Sequence, residues 1–173
     1  LRRQRQMCIR DRCKNKIDAK YFIDKLNLKP HIEGGYFNEC LSSEDNYNDN
    51  QKLWTSIYFL LEQGDVSRLH ILEEDELWYY HAGNSLNIYM ISPEGKLTVS
   101  KLGLNIDNGE TPQVLVPKGY IFGSIMEEEG FCLVGNMVAP GFIYDHFKIV
   151  NQKELLSRYP EHKETILKLT KSE

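Results

Sequence analysis

The sequence lacks several features that would assign it quickly. No apolar run reaches the roughly 18 residues of a membrane-spanning helix, so the chain is expected to be soluble, with no membrane partner. Cys8, Cys13, Cys40 and Cys132 form no C-x-x-C pair, which argues against a zinc ribbon or a disulfide framework and fits a reducing, cytoplasmic setting. Cys132 lies in the apolar run FCLVGNMV and reads as a buried thiol. There is no internal repeat, and the only biased stretch is the polar SSEDNYNDNQK, an expected loop.

The basic segment Leu1–Arg12, LRRQRQMCIRDR, has neither an apolar h-region nor a small-residue cleavage site, so it is not expected to be a signal peptide. Its MCIRDR portion reads as adapter-like, and residues 1–12 are expected to be non-native or disordered. Five arginines and one aspartate give this segment +4, so the remainder carries −8 against a whole-chain net of −4. An acidic surface repels phosphate backbones, leaving a small molecule or a protein as the expected partner and no nucleic acid. At 173 residues, one domain over 13–173 is expected.

Apolar residues at helical spacing predict a helix over Asn15–Leu28, stopped by Pro30. The glycine pair in HIEGGYF then permits a turn. From Trp54 to Val150 the pattern changes to nine short segments rich in Val, Ile, Tyr, Phe and Trp. Their separators are turn dipeptides such as Gly64-Asp65, Gly83-Asn84 and Lys118-Gly119. Starts spaced by about ten residues predict an all-β sandwich or barrel over about 54–150. Leu155, Leu156, Ile166, Leu167 and Leu169, interrupted by Pro160, predict one or two closing helices outside it.

The stretch Gly64–Gly83, GDVSRLHILEEDELWYYHAG, carries the chemistry. Residues 70 and 72 share one face of a strand, and Glu76 opens the next strand, where it can lie beside His70. The Gly-x5-His-x5-Glu-x6-Gly spacing resembles the first cupin motif, and Pro117-Lys118-Gly119 resembles the turn of the second. In metal-binding cupins a second His and a further ligand complete the site. Here Leu72 and Phe122 stand at those positions, so no metal cofactor is expected and a divalent metal is disfavoured.

A closer resemblance, from about Lys20 to Thr170, is to the cupin family DUF985, or Cupin_5. It rests on LKPHIEGGYF, IYFLLEQGDVSRLH, EDELWYYHAG, PQVLVPKG, LVGNMVAPGF and LLSRYPEH. The resemblance implies a double-stranded β-helix (RmlC-like jelly roll), often a homodimer, with an internal cavity. Ile71, Phe122 and Asn136 depart from the family's usual Arg, polar residue and Cys; the first two make this pocket less polar.

Expected ligand-binding residues are His70, Glu76, Trp78, Tyr80 and Phe122, with His70, Glu76 and Tyr80 as catalytic candidates. Alternation puts Trp78 and Tyr80 on the face of Glu76, as an aromatic wall or as core, and His81 on the opposite face unless a bulge intervenes. His31, Glu33 and Tyr36 read as a lid or a dimer arm, and His146 and His162 as surface residues. The leading expectation is a small-molecule-binding cupin. Three alternatives stand beside it: a metal-free sugar or carbonyl isomerase or epimerase, with His70 as base and Tyr80 or Tyr58 as proton donor; a metal-dependent dioxygenase or isomerase; and a non-catalytic dimeric scaffold.

Overall fold

The computed structural model describes residues 17–170, so the adapter-like segment falls outside the described residues. Helix α1 (Ala19–Lys25) starts where the Asp18 carboxylate accepts the Tyr21 N–H, satisfying one of the free amides of the first turn. It ends earlier than Pro30 suggests, because Asn27 takes a left-handed conformation (φ 52°) that stops the helix first.

Two six-stranded sheets face each other. The first has the order β1 (Lys29–Pro30), β2 (Tyr36–Ser42), β5 (Thr55–Glu62), β13 (Phe131–Ala139), β7 (Asp75–Gly83) and β11 (Gln113–Val116). The second runs β10 (Glu110–Thr111), β9 (Leu97–Leu102), β8 (Leu86–Ile91), β12 (Ile121–Ile125), β6 (Val66–Leu72) and β14 (Phe147–Ile149). Strands β3 (Asn46–Asn48) and β4 (Gln51–Lys52) form a separate hairpin. All nine predicted segments are strands. Strand β2 is additional to them: its half-exposed, polar sequence lacks the apolar density of the others.

The clean alternation of a one-sided sheet is missing because both faces of the central strands are covered. In β5, Phe59 and Leu61 point between the sheets, while Leu60 points outward to Ala19 and Leu28 around α1. In the other sheet, Leu72 and Phe122 face inward, whereas Leu69, Ile91 and Ile121 pack outward on Leu155, Tyr159 and Ile166. Leu155 and Ile166 come from α2 (Gln152–Arg158) and α3 (Lys163–Lys168), on either side of a 3-10 turn at Pro160–His162, and Tyr159 is the C-cap of α2.

Strand β6 carries a bulge. Phe122 pairs with His70 but Ser124 pairs with Ser67, so Gly123 alone opposes Arg68 and Leu69. A Cβ on Gly123 would lie 2.6 Å from the Ser67 carbonyl oxygen, so only glycine fits the close approach. The displaced backbone groups find new partners: Arg68 N–H donates to the Glu33 carbonyl and Leu69 N–H to the Leu169 carbonyl, each at 3.0 Å.

Candidate functional site

Between the sheets lies a cavity of about 90 Å³, with an inner recess of about 20 Å³ reaching Phe59 and Trp78. Its polar end is built by His31, Glu33, His70, Glu76 and Asn136; Phe37, Ile57, Leu72, Val138, Phe142 and Phe147 supply apolar wall. Exposed Glu39 and Tyr144 mark its mouth.

His70 is positioned by the β6 bulge. Its Nδ1 lies 2.7 Å from the Arg68 carbonyl oxygen and 3.1 Å from Glu33 Oε2. Both are acceptors, so Nδ1 carries the proton and Nε2 is left as the basic atom of the neutral ring. Phe122 (centroids 4.1 Å) and Phe147 (5.2 Å) pack against the imidazole. Phe122 therefore supports His70 from behind and is not among the cavity's lining residues.

Glu33 comes from the turn that the sequence suggests is a lid or an arm. Gly34 (φ 120°) and Gly35 (φ 67°) press this turn onto β5 and β6; a Cβ on Gly34 would lie 2.0 Å from the Val66 carbonyl oxygen. Glu33 then accepts from the buried Ser67 hydroxyl and from His70. His31, three residues before Gly34, accepts the Glu33 N–H on Nδ1 at 3.2 Å and packs edge-on to Phe37. Burial holds the His31 pKa below the usual imidazole value, outweighing the raising effect of Glu33, and His70 adds to the lowering. The signal in the sequence is the His-x-Glu spacing just before a glycine pair. Tyr36, beyond the turn, points outward to the α1 side.

Glu76, the second residue of β7, is 7% exposed; because β7 lies in the sheet opposite β6, it faces His70 across the cavity and not beside it on a paired strand as the sequence suggests. Asn136 Nδ2 donates to its Oε1 at 2.8 Å. Burial, reinforced by the charge of Glu33 and only partly opposed by the Asn136 bond, pushes its pKa up to about 8. At neutral pH Glu76 is thus a carboxylic acid that can donate a proton. The Asn136 amide oxygen, also buried, has no partner, and neither has the Trp78 indole nitrogen in the recess.

Trp78 closes the inner end, edge-on to Phe59 and Phe122. Tyr80 packs against the inner core, but its hydroxyl donates to the Gly83 carbonyl at 2.5 Å and it does not line the cavity. Tyr58 points outward to the α1 side. Neither tyrosine stands where it could pass a proton to a molecule in the cavity; Glu76 does. β7 has a bulge at His81, yet His81 still faces outward, between Tyr58 and Gly135, with burial lowering its pKa. His146 is not a free surface residue: it bonds buried Glu74, which also accepts from Gln51 at 2.8 Å. His162 likewise packs on Tyr159, with Nε2 2.7 Å from the Gly95 carbonyl oxygen. Burial pushes the Cys132 thiol up to about 12, leaving it unreactive.

The donor set does not fit a metal ion. Leu72 and Phe122 are apolar and Glu76 is bonded to Asn136, which leaves His70 Nε2 as the one unengaged ligand atom of the motif positions. Among the described residues no three His, Cys, Asp or Glu side chains are arranged to hold a cation. No helix among them is long and apolar enough to cross a membrane.

A family model described as Cupin superfamily (DUF985) matches residues 20–150. The uncharacterized protein YML079W of Saccharomyces cerevisiae is 27% identical over 161 residues, covering 77% of this chain and 76% of its own. Among solved structures, protein SO0799 from Shewanella oneidensis superposes with a TM-score of 0.89 at 52% identity, over 91% of this chain and 100% of that one. A hypothetical protein from Leishmania major gives a TM-score of 0.85 at 33% identity, over 90% and 99%. Oxalate decarboxylase from Bacillus subtilis shares the fold alone: TM-score 0.55 at 20% identity, over 83% of this chain and 37% of its own.

Proposed function

Since the chain belongs to the DUF985 (Cupin_5) family of cupins, we propose that it binds a small molecule in the cavity between its sheets, against His70, Glu33, Glu76 and Asn136. The observation that carries this reading is the buried, unpartnered amide oxygen of Asn136 on the wall of an otherwise largely apolar cavity. Leaving such an acceptor unpaired costs about 1–3 kcal/mol, a penalty that a bound donor removes. A concave, mostly apolar space with a few convergent polar groups is the usual form of a small-molecule site. Its volume suits a compact ligand, since one water occupies roughly 10–15 Å³ on the same scale.

Native mass spectrometry of the protein, purified without added ligand and then incubated with a small-molecule extract of cells, tests this. The expected result is an adduct of constant mass that His70→Ala and Glu76→Gln each lose. An adduct retained in both variants, or no adduct at all, would overturn the reading. The same spectrum reads out the homodimer that the family resemblance implies.

A further inference from the structure

On the reading that this cavity binds a small molecule, we propose that its ligand is a small organic cation, a protonated amine, seated with its charge between Glu33 and the aromatic side chains of the wall.

Charge argues first. Three carboxyl side chains line the cavity, Glu33, Glu39 and Glu76, and no lysine or arginine does among the described residues. The cations close in sequence or space are directed elsewhere. Arg68, two residues before His70, donates to the Ile32 carbonyl on the outer side of the turn, and Lys168 pairs with Glu127. An anionic ligand would enter a low-dielectric space beside Glu33 with no lysine or arginine to offset its charge; of the two lining imidazoles, His70 is already engaged by Glu33 through Nδ1 and burial disfavours the charged form of His31.

The wall argues second. Phe37, Phe142, Phe147 and Tyr144 surround the space leading to the polar end. Aromatic faces attract a desolvated cation and make no comparable contact with a neutral or anionic head. The third point is the orphan oxygen of Asn136: it calls for a ligand donor, which an ammonium N–H supplies and a plain hydrocarbon does not. The unpaired Trp78 N–H is one neutral donor in the recess and does not offset the carboxyl groups.

A linked effect follows. The titratable groups that line the cavity with Glu76 are His31 and Glu33 from the turn after β1, His70 from β6, and Glu39 and Tyr144 at the mouth, with Asn136 beside it on β13. A bound cation favours the ionised form of Glu76, so binding tightens as pH rises from about 6 toward about 8 and releases a proton.

Isobutylamine, isobutanol and isobutyrate, nearly equal in shape, differ in the charge of the head. NMR titration of the full chain with each at about pH 7.5 is the test. The amine should bind at least about tenfold more tightly than the alcohol, with isobutyrate weakest, a spacing of about 1.4 kcal/mol per tenfold step. Glu39→Gln, an exposed change at the mouth, should weaken only the amine, by about two- to threefold at low salt. Alcohol or isobutyrate binding as tightly as the amine would overturn the cationic ligand while leaving a binding cavity. Failure of all three to bind removes the cation proposal, and the binding reading falls with it only if the native spectrum also shows no adduct.

Discussion

At the scale of single residues, Glu76 gives the sharpest expectation. Its pKa of about 8 lies above the ordinary 4.5, so between those values the folded chain holds a proton that the unfolded chain has released. Stability therefore falls as pH rises from about 4.5 to about 8 and is flat on either side as far as this group is concerned. Glu76→Gln removes that slope, and its amide can still bond Asn136. The variant should be more stable than the parent by about 3 kcal/mol at pH 7 and equal to it below about pH 4.5, since each tenfold change in proton affinity between folded and unfolded chain corresponds to about 1.4 kcal/mol. Urea denaturation at about pH 4.5, 7 and 8.5 checks this; a difference independent of pH would mean that Glu76 is ionised in the folded state. His70 and Glu76 are legible in the sequence because the motif spacing places them on consecutive strands, which the fold sets in opposite sheets around one cavity. Their partners are less so. Asn136 lies 60 residues from Glu76, and no local pattern marks an amide that meets a carboxyl only through sheet pairing.

At the scale of elements, the turn after β1 decides the site. The nine barrel strands are readable from β-branched and aromatic runs bounded by turn dipeptides, but from sequence the turn carrying His31 and Glu33 reads only as a lid or an arm. Its role depends on where it lands, on the β6 bulge, and a bulge has no signature in single-strand alternation. Gly34 controls that landing, with a positive φ of 120° and no room for a Cβ beside Val66. Gly34→Ala is expected to cost about 2 kcal/mol or more, through strain and the forced retreat of the turn. It should also separate Glu33 from Ser67 and His70, abolishing ligand retention in the native spectrum. Denaturant midpoints and adduct mass measure the two effects on one sample. Loss of stability with full retention of the adduct would place the binding determinants away from this turn.

At the scale of the whole molecule, the closing helices are part of what shapes the cavity. Their apolar spacing sets them outside the barrel but cannot show that they complete it. Leu155 is 1% exposed, and Ile166 and Leu169 are wholly buried, against the outward faces of β6, β8 and β12. The Leu169 carbonyl accepts the Leu69 N–H that the β6 bulge frees, one residue before His70, so the end of the fold secures the backbone that aims the imidazole. If barrel and helices form one cooperative unit, Ile166→Ala removes packing from both and should cost about 2–5 kcal/mol, the range for a large-to-small change in a tight core. It should lower the midpoint of a single unfolding transition, seen alike by near-UV signal from the buried Trp78 and far-UV signal from strands and helices. Helices that were only an appendage would instead melt in a separate early step, leaving the Trp78 signal of the barrel at its parental midpoint.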